Sequence, residues 1–418
     1  MSREHKVCPQ PSRGFPVRVG AAVTATVTAT AMATAMVTAG AALRPVTRPR
    51  RLRTRGSARP VVVGVGVTGV DYLAVVDGYP AADAKVRARE MQVQGGGNAG
   101  NAATCLARLG VGVRLVSRVG GDALGASAVR ELVEAGVDVA RVDVDAGGST
   151  PFTYVVVDAV GGTRTCIHTP ASGRGDLLAA DVDVEGVLAG GVAAVVCDGR
   201  HPEAAEALAR AARAAGIRVV VEGEKPRDGL GPLLGEADVV VTNASFPRTW
   251  AGRAEGEGLG AAMAGVLAGV PLCGTLVTTL GARGSVRVDV ESQWHPALAG
   301  GEGSPAWAAV AAAVDEAVAE GEATGTAVSR SLGGSPSSCV YYAPAEPVPT
   351  PPGVLDTTGA GDAYIGATVY GMVTGMAPGA TMKLASTVAA RKCAAVGARP
   401  GLPTREDLGL PDLGEIPP

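Results

Sequence analysis

The chain has 418 residues, 37 basic and 40 acidic side chains for a net charge of −3, and 47% hydrophobic residues, enough for one large or two modest globular domains. Only 3 Phe, 3 Trp and 7 Tyr stand beside 60 Gly, so stacking platforms for bases are nearly absent and nucleic-acid binding is disfavoured. The seven cysteines form no CxxC pair or metal-ligand spacing, and no run of about 20 strongly apolar residues occurs, which argues against a zinc site, a disulfide scaffold and a membrane span.

The charge is unevenly spread. Residues 1–59 hold ten Arg, Lys6 and a single acid, Glu4, whereas the remainder holds 26 basic against 39 acidic groups, net −13. An acid-poor, Arg-bearing, Thr- and Ala-rich leader is expected of an organelle transit peptide, for a chloroplast ahead of a mitochondrion. A disordered leader without an address is the alternative, and the protein is then cytoplasmic. Val19 to Leu43 is uncharged but holds six Thr and one Leu, a poor membrane segment.

From Pro60 short Val-rich runs alternate with Ala-rich helical stretches, which predicts an α/β fold with a central, mostly parallel sheet. Strands are expected at Val61–Val65, Val113–Val116, Val192–Cys197, Arg218–Val221, Val239–Thr242 and Leu276–Thr279. Helices are expected at Asn101–Leu109 and Pro202–Ala215, each stopped by a glycine. Gly64-Val65-Gly66-Val67-Thr68-Gly69 matches GxGxxG, with Glu90 beyond it, but the dinucleotide fingerprint needs a helix at the third glycine. Here a β-branched run follows, so an NAD-dependent oxidoreductase is only an alternative. Residues 71–94 read as accessory lid strands, and 291–337, with Gly, Ser and Pro at both ends and an Ala/Val/Glu helix from about Trp307 to Glu320, as a surface insertion.

The sharpest motif is Asp356-Thr357-Thr358-Gly359-Ala360-Gly361-Asp362-Ala363-Tyr364, ahead of a helical stretch to about Gly375. Gly359, Ala360 and Gly361 at a helix start leave backbone N–H groups bare, and with the helix dipole these make an anion cradle. Asp362 in the first turn can accept the proton of an attacking hydroxyl while the amides steady a phosphoryl group in transfer. An ordinary P-loop is excluded, because none of the five lysines follows a glycine.

Together with Gly95-Gly96-Gly97-Asn98-Ala99-Gly100-Asn101-Ala102-Ala103, running into Leu106-Ala107-Arg108-Leu109-Gly110, this motif resembles the signatures of the PfkB or ribokinase-like carbohydrate kinases. The resemblance covers Val61 to Pro403 and implies a ribokinase-like three-layer sandwich with a small β lid over the sugar, in a kinase domain of about residues 60–410 ahead of a 411–418 tail. It implies transfer of the ATP γ-phosphoryl group to a sugar hydroxyl, with Mg2+, in a homodimer joined through the lid. Asp71, Gly96, Gly97, Asn98, Asn101 and Arg164 match sugar-side positions. Asn and Asp offer donors and acceptors to vicinal hydroxyls, and glycines let the ring approach the backbone. Thr279, Gly281 and Gly284 match a nucleotide-side loop, Asn243 a position on the same side, and Asp356 and Thr358 residues that help hold a monovalent cation, K+, in some members.

Within the family, Asp77-Gly78-Tyr79-Pro80 with Asp83, and Val221 to Arg227, resemble ketohexokinases. Pro151 to Tyr154, Thr165 to Pro170 and Gly397 to Pro403 resemble a plant and algal group, so a ketose such as fructose or a pentose such as ribose is expected as the acceptor. One departure stands out: many members carry an acid three residues after Asn243, to organise magnesium, and this chain has Phe246. That loss admits a second alternative, a catalytically weak scaffold protein of an organelle.

Overall fold

The computed structural model describes residues 59–254, 257–349 and 355–413; the leader expected over 1–59, except Arg59, and tail residues 414–418 lie outside them. The first part of the chain supplies β1 (Val61–Val65), β2 (Gly69–Val76), β3 (Glu90–Gly96), α1 (Asn98–Arg108), β4 (Gly112–Gly120), α2 (Ala123–Glu134), β5 (Asp138–Asp145), β6 (Phe152–Asp158) and β7 (Thr163–Thr169). Next come α3 (Val184–Leu188), β8 (Val192–Cys197), α4 (Pro202–Ala214), β9 (Arg218–Gly223), α5 (Leu230–Gly235), β10 (Val239–Asn243), α6 (Phe246–Trp250), α7 (Leu259–Gly269) and β11 (Thr275–Thr279). The last part gives β12 (Ser285–Asp289), α8 (Trp294–Leu298), α9 (Pro305–Thr324), β13 (Val328–Leu332), β14 (Ser335–Ala343), α10 (Ala360–Val373) and α11 (Pro378–Lys392).

Ten strands form one sheet in the order β13-β14-β12-β11-β10-β9-β8-β1-β4-β5. The run from β11 to β5 is parallel, and β12, β14 and β13 extend one edge antiparallel. Parallel strands covered on both faces need apolar residues on both, and β8, VAAVVC, is buried at every position. One core joins the sheet to residues of α4, α5, α7 and α9, and a second joins it to residues of α1, α10 and α11. These are the three layers of an α/β sandwich.

Strand order reverses beside β1: the chain goes from β1 to β4 on one side and returns at β8 on the other. In such sheets the crevice beyond the C-terminal strand ends at the reversal is where ligands bind. The GxGxxG stretch lies here without its helix: Gly64 sits in β1, Gly66 just beyond it, and Gly69 opens β2. The local geometry thus lacks the helix N-terminus a dinucleotide needs.

The lid is larger than the expected 71–94 hairpin. A separate four-stranded sheet, β3-β2-β6-β7, also recruits 152–158 and 163–169, with β6 parallel to β2 and β7 antiparallel to β6. Nor is 291–337 a loose surface insertion. Trp307, Val310, Val314, Ala317 and Val318 of α9 enter the core, and β13 and β14 finish the sheet edge. Close approach explains the small residues there: a Cβ on Gly260 would lie 2.0 Å from the Ala311 carbonyl, and one on Gly321 2.0 Å from the Tyr342 ring. Among the described residues no helix is long and apolar enough to cross a membrane.

Candidate active site

The helix α10 opens where its sequence demands. Gly359 is its N-cap with φ 75°, a left-handed conformation in which a Cβ would lie 2.6 Å from Ala398. The Ala360 amide turns back to the Thr357 carbonyl at 3.2 Å, while the first-turn amides of Gly361 and Asp362 have no partner within the helix. No atom would crowd a Cβ on Gly361, which is exposed at the mouth of this turn. Behind it every residue of α10 from Asp362 to Val373 is buried, so the turn is mounted on a rigid core helix.

Asp362 is 7% exposed and its Oδ2 accepts a 2.7 Å hydrogen bond from Asn101 Nδ2. Burial, with the nearby carboxylates of Glu224, Asp198 and Asp71 adding to it against the Asn101 bond, pushes its pKa up to about 7. A carboxylate poised there exchanges a proton readily near neutral pH. Asp71, on β2, is also buried; burial raises its pKa to about 6 while the Arg399 guanidinium and Thr153 hold it back.

The glycine run joins these two acids. A Cβ on Gly96 would fall 2.4 Å from the Asp71 carboxyl group, and one on Gly97, the α1 N-cap at φ 86°, 2.5 Å from the Val67 carbonyl. With Gly97 as cap, Asn98 and Asn101 lie inside α1, and their amides face acids instead of capping the helix. Asn98 Nδ2 donates to both Glu222 oxygens at 3.1 and 3.2 Å. From the lid, Arg164 on β7 reaches across to the motif and donates to Thr357 Oγ1 at 2.5 Å.

Along the neighbouring strand ends Asn243 and Thr279 are register partners of β10 and β11, with Gly281 (φ 64°) and Gly284 (φ 95°) in the turn that follows. A Cβ on Gly284 would stand 2.2 Å from the Ala343 carbonyl. Asn243 spends its side chain locally: Oδ1 accepts from the amides of Ser245 and Phe246 at 3.1 and 2.9 Å, and Nδ2 donates to the Glu224 carbonyl at 2.8 Å. Asp356 and Thr358 are bonded to each other, through the Thr358 amide (2.9 Å) and hydroxyl (2.6 Å) to Asp356 Oδ1.

Sequence reasoning missed four participants. Asp198, just past β8, accepts from the amides of Val67 (2.8 Å) and Ala99 (3.2 Å), tying the first turn after β1 to α1. Glu222 and Glu224 bring acids to the same place from the end of β9. Arg399 donates through Nε to Asn101 Oδ1 at 3.0 Å and through Nη2 to the Gly96 carbonyl at 3.0 Å. It thereby sets which end of the Asn101 amide faces Asp362. The position of Asp198 at the end of an apolar strand is a usable signal, and Glu222, Glu224 and Arg399 lie inside the Val221–Arg227 and Gly397–Pro403 stretches that carry the resemblance. Among the described residues no group of three His, Cys, Asp or Glu side chains could hold a metal ion.

A family model described as pfkB family carbohydrate kinase matches residues 60–300 and 297–405. An ATP-dependent ribose-1-phosphate kinase from Halopiger xanaduensis is 31% identical over 184 residues, 44% of this chain and 61% of that protein. A ketohexokinase from Mus musculus is 29% identical over 189 residues, 43% of this chain and 62% of that protein. The matches thus span about three fifths of these curated relatives. Among solved structures, Arabidopsis thaliana ribokinase complexed with ribose and ATP shares the fold with a TM-score of 0.61 at 20% identity, over 86% of this chain and 100% of that one.

Proposed function

The chain belongs to the pfkB family of carbohydrate kinases, and from that footing we propose that it transfers the γ-phosphoryl group of ATP to a hydroxyl of a sugar, a ketose such as fructose or a pentose such as ribose. The observation that carries this reading is Asp362, a buried carboxylate with a pKa of about 7 in the first turn of α10. Asp71, Asn98 and Asn101 bind the sugar hydroxyls, and Gly96 and Gly97 let the ring come close to the backbone. As the acceptor oxygen bonds to the γ-phosphorus and the bond to ADP breaks, the hydroxyl proton passes to Asp362. The amides of Gly359, Ala360 and Gly361 steady the phosphoryl oxygens. Arg164 closes the lid onto this turn.

Asn243, Thr279, Gly281 and Gly284 form the nucleotide side. Magnesium would supply charge neutralisation there; among the described residues no cluster of three His, Cys, Asp or Glu side chains is built to cage it, so it would be carried on the ATP phosphates with its own waters. Neither alternative gains support: the GxGxxG stretch lacks its helix, and the cradle and its acid are intact. The exposed Met91, Val93, Tyr154 and Ile167 of the lid strands support pairing of two copies through the lid, which sedimentation tests, monomer alone being the contrary result. The acid-poor leader supports delivery to an organelle, plastid before mitochondrion, and a fluorescent fusion of residues 1–59 that stays cytoplasmic would count against it.

The decisive experiment assays purified protein with ATP against fructose, ribose, other ketoses and nucleosides. Asp362→Asn is expected to lower turnover by about 10² to 10⁴ on the preferred acceptor. Turnover close to wild type would end the assignment.

A further inference from the structure

Lys392, the last residue of α11, is 0% exposed, and an ammonium group is not buried without acceptors. Its Nζ donates to the main-chain carbonyl of Asp356 at 2.6 Å and to that of Ala395 at 3.4 Å. It therefore joins two segments that flank the anion cradle. Asp356 leads into the Gly359 turn, and the 393–397 segment leads to Ala398, against which Gly359 packs. A second link closes the same ring, since the Gly397 amide donates to Asp356 Oδ2 at 2.6 Å.

The family resemblance placed a monovalent cation at Asp356 and Thr358. A potassium ion is held by several oxygens converging on one point, and here each Asp356 oxygen already accepts from a protein donor. One Asp356 carboxylate oxygen serves Thr358 twice, the other serves Gly397, and the main-chain oxygen serves Lys392. A second cation beside a buried ammonium would also meet repulsion in a low-dielectric setting. The positive group that faces these oxygens in the structure is already Lys392.

We propose that the Lys392 ammonium is the cation of this site, a covalently attached replacement for a monovalent metal ion that holds the backbone behind the Gly359–Asp362 turn, so that the chain needs no potassium. The proposal rests on the kinase reading for its activity arm only. Lys392 acts through the backbone of the cradle and is a positioning residue; it touches no reacting atom.

The test uses the full-length protein in tetramethylammonium buffer, an ion too bulky for the site, with potassium chloride or more tetramethylammonium chloride added. Wild type is expected to phosphorylate its sugar at the same rate in both salts and to melt at the same temperature. Lys392→Ala is expected to lose about 10²-fold in kcat in tetramethylammonium and to regain rate on addition of potassium or ammonium. The same salts should raise its melting temperature, because an ion that binds only the folded chain stabilises it. Lys392→Met, which fills the space without charge, should lose rate and not respond. Potassium-specific activation or stabilisation of wild type would overturn the proposal, as would a Lys392→Ala protein with full rate in tetramethylammonium. If no sugar is phosphorylated, the kinase reading fails and the melting comparison of wild type still decides the cation question; it also decides if the variants do not fold.

Discussion

Asn101 donates its amide to Asp362 across 2.7 Å, linking the glycine-rich first signature to the acid of the second over 261 residues of sequence. The bond lowers the Asp362 pKa against burial, and the net result is about 7. Since the base must be ionised to accept a proton, kcat/KM is expected to fall about tenfold per pH unit below 7 and to level off above it. A flat profile from pH 5.5 to 8 would remove Asp362 as the titrating base.

Arg399 holds the other end of that amide. With Arg399→Met, Asn101 is free to turn its carbonyl toward Asp362, and a buried cation near the carboxylate is lost as well. The acid limb of the pH profile should move to higher pH and kcat should drop by about tenfold or more, with the KM for ATP little changed. Arg399→Lys should restore part of the limb. A variant that is merely less stable, with an unmoved limb, would show that Arg399 only packs.

Asp362 should cost stability as well as serve reactivity. Its folded-state pKa of about 7 lies above the ordinary 3.8, so the folded chain keeps a proton that the unfolded chain gives up between those values. Its contribution to stability is full below the ordinary value and is lost as pH rises through 7. Asp362→Asn cannot ionise, and its melting temperature at pH 8 should exceed that of wild type, by about 2–4 °C per kcal/mol recovered. Equal melting at pH 8 would contradict the burial argument.

The Gly96–Asp71 approach leaves no space for a side chain, because a Cβ would sit 2.4 Å from the carboxyl group. Gly96→Ala must displace Asp71, and the loss should be read chiefly in the KM for sugar, with ATP binding retained. Calorimetry with sugar and with an ATP analogue separates the two, and equal loss of both would point to general misfolding.

At the far edge, Gly321→Val drives a branched side chain into the Tyr342 ring, where even a Cβ comes to 2.0 Å. Overpacking of this kind costs about 1–3 kcal/mol. The variant should melt several degrees lower and, because Tyr342 Oη donates to the Arg283 carbonyl at 2.7 Å in the Gly281–Gly284 turn, should raise the KM for ATP more than the KM for sugar.

The central layer was legible because parallel strands buried on both faces must be written as unbroken apolar runs, as in Val192–Cys197. The second half of the lid was not. In β7 the alternating β-branched Thr163, Thr165, Ile167 and Thr169 suggest a strand, but it is exposed at six of its seven residues and no buried apolar face marks where it pairs. Asp362, Asn101 and Asp71 could be found because glycine runs flag the backbone around them. Asp198, Arg399 and Lys392 gain their meaning from partners tens to hundreds of residues away, which spacing alone does not reveal. In 291–337 the helix at about Trp307–Glu320 is legible, but the Gly- and Ser-rich ends suggest a surface segment, whereas one face of that helix enters the core.

Asp198, Glu222, Asn243 and Thr279 each stand at or just past the C-terminal end of a different parallel strand, β8, β9, β10 and β11. Asp198 and Glu222 line one cavity with Asn98, and the backbones of all four are anchored separately by the ladder beneath. Selection can therefore exchange one of these positions without disturbing the hydrogen-bonded frame. A lineage built on this chassis can wander among acceptor molecules by rewriting single strand tips.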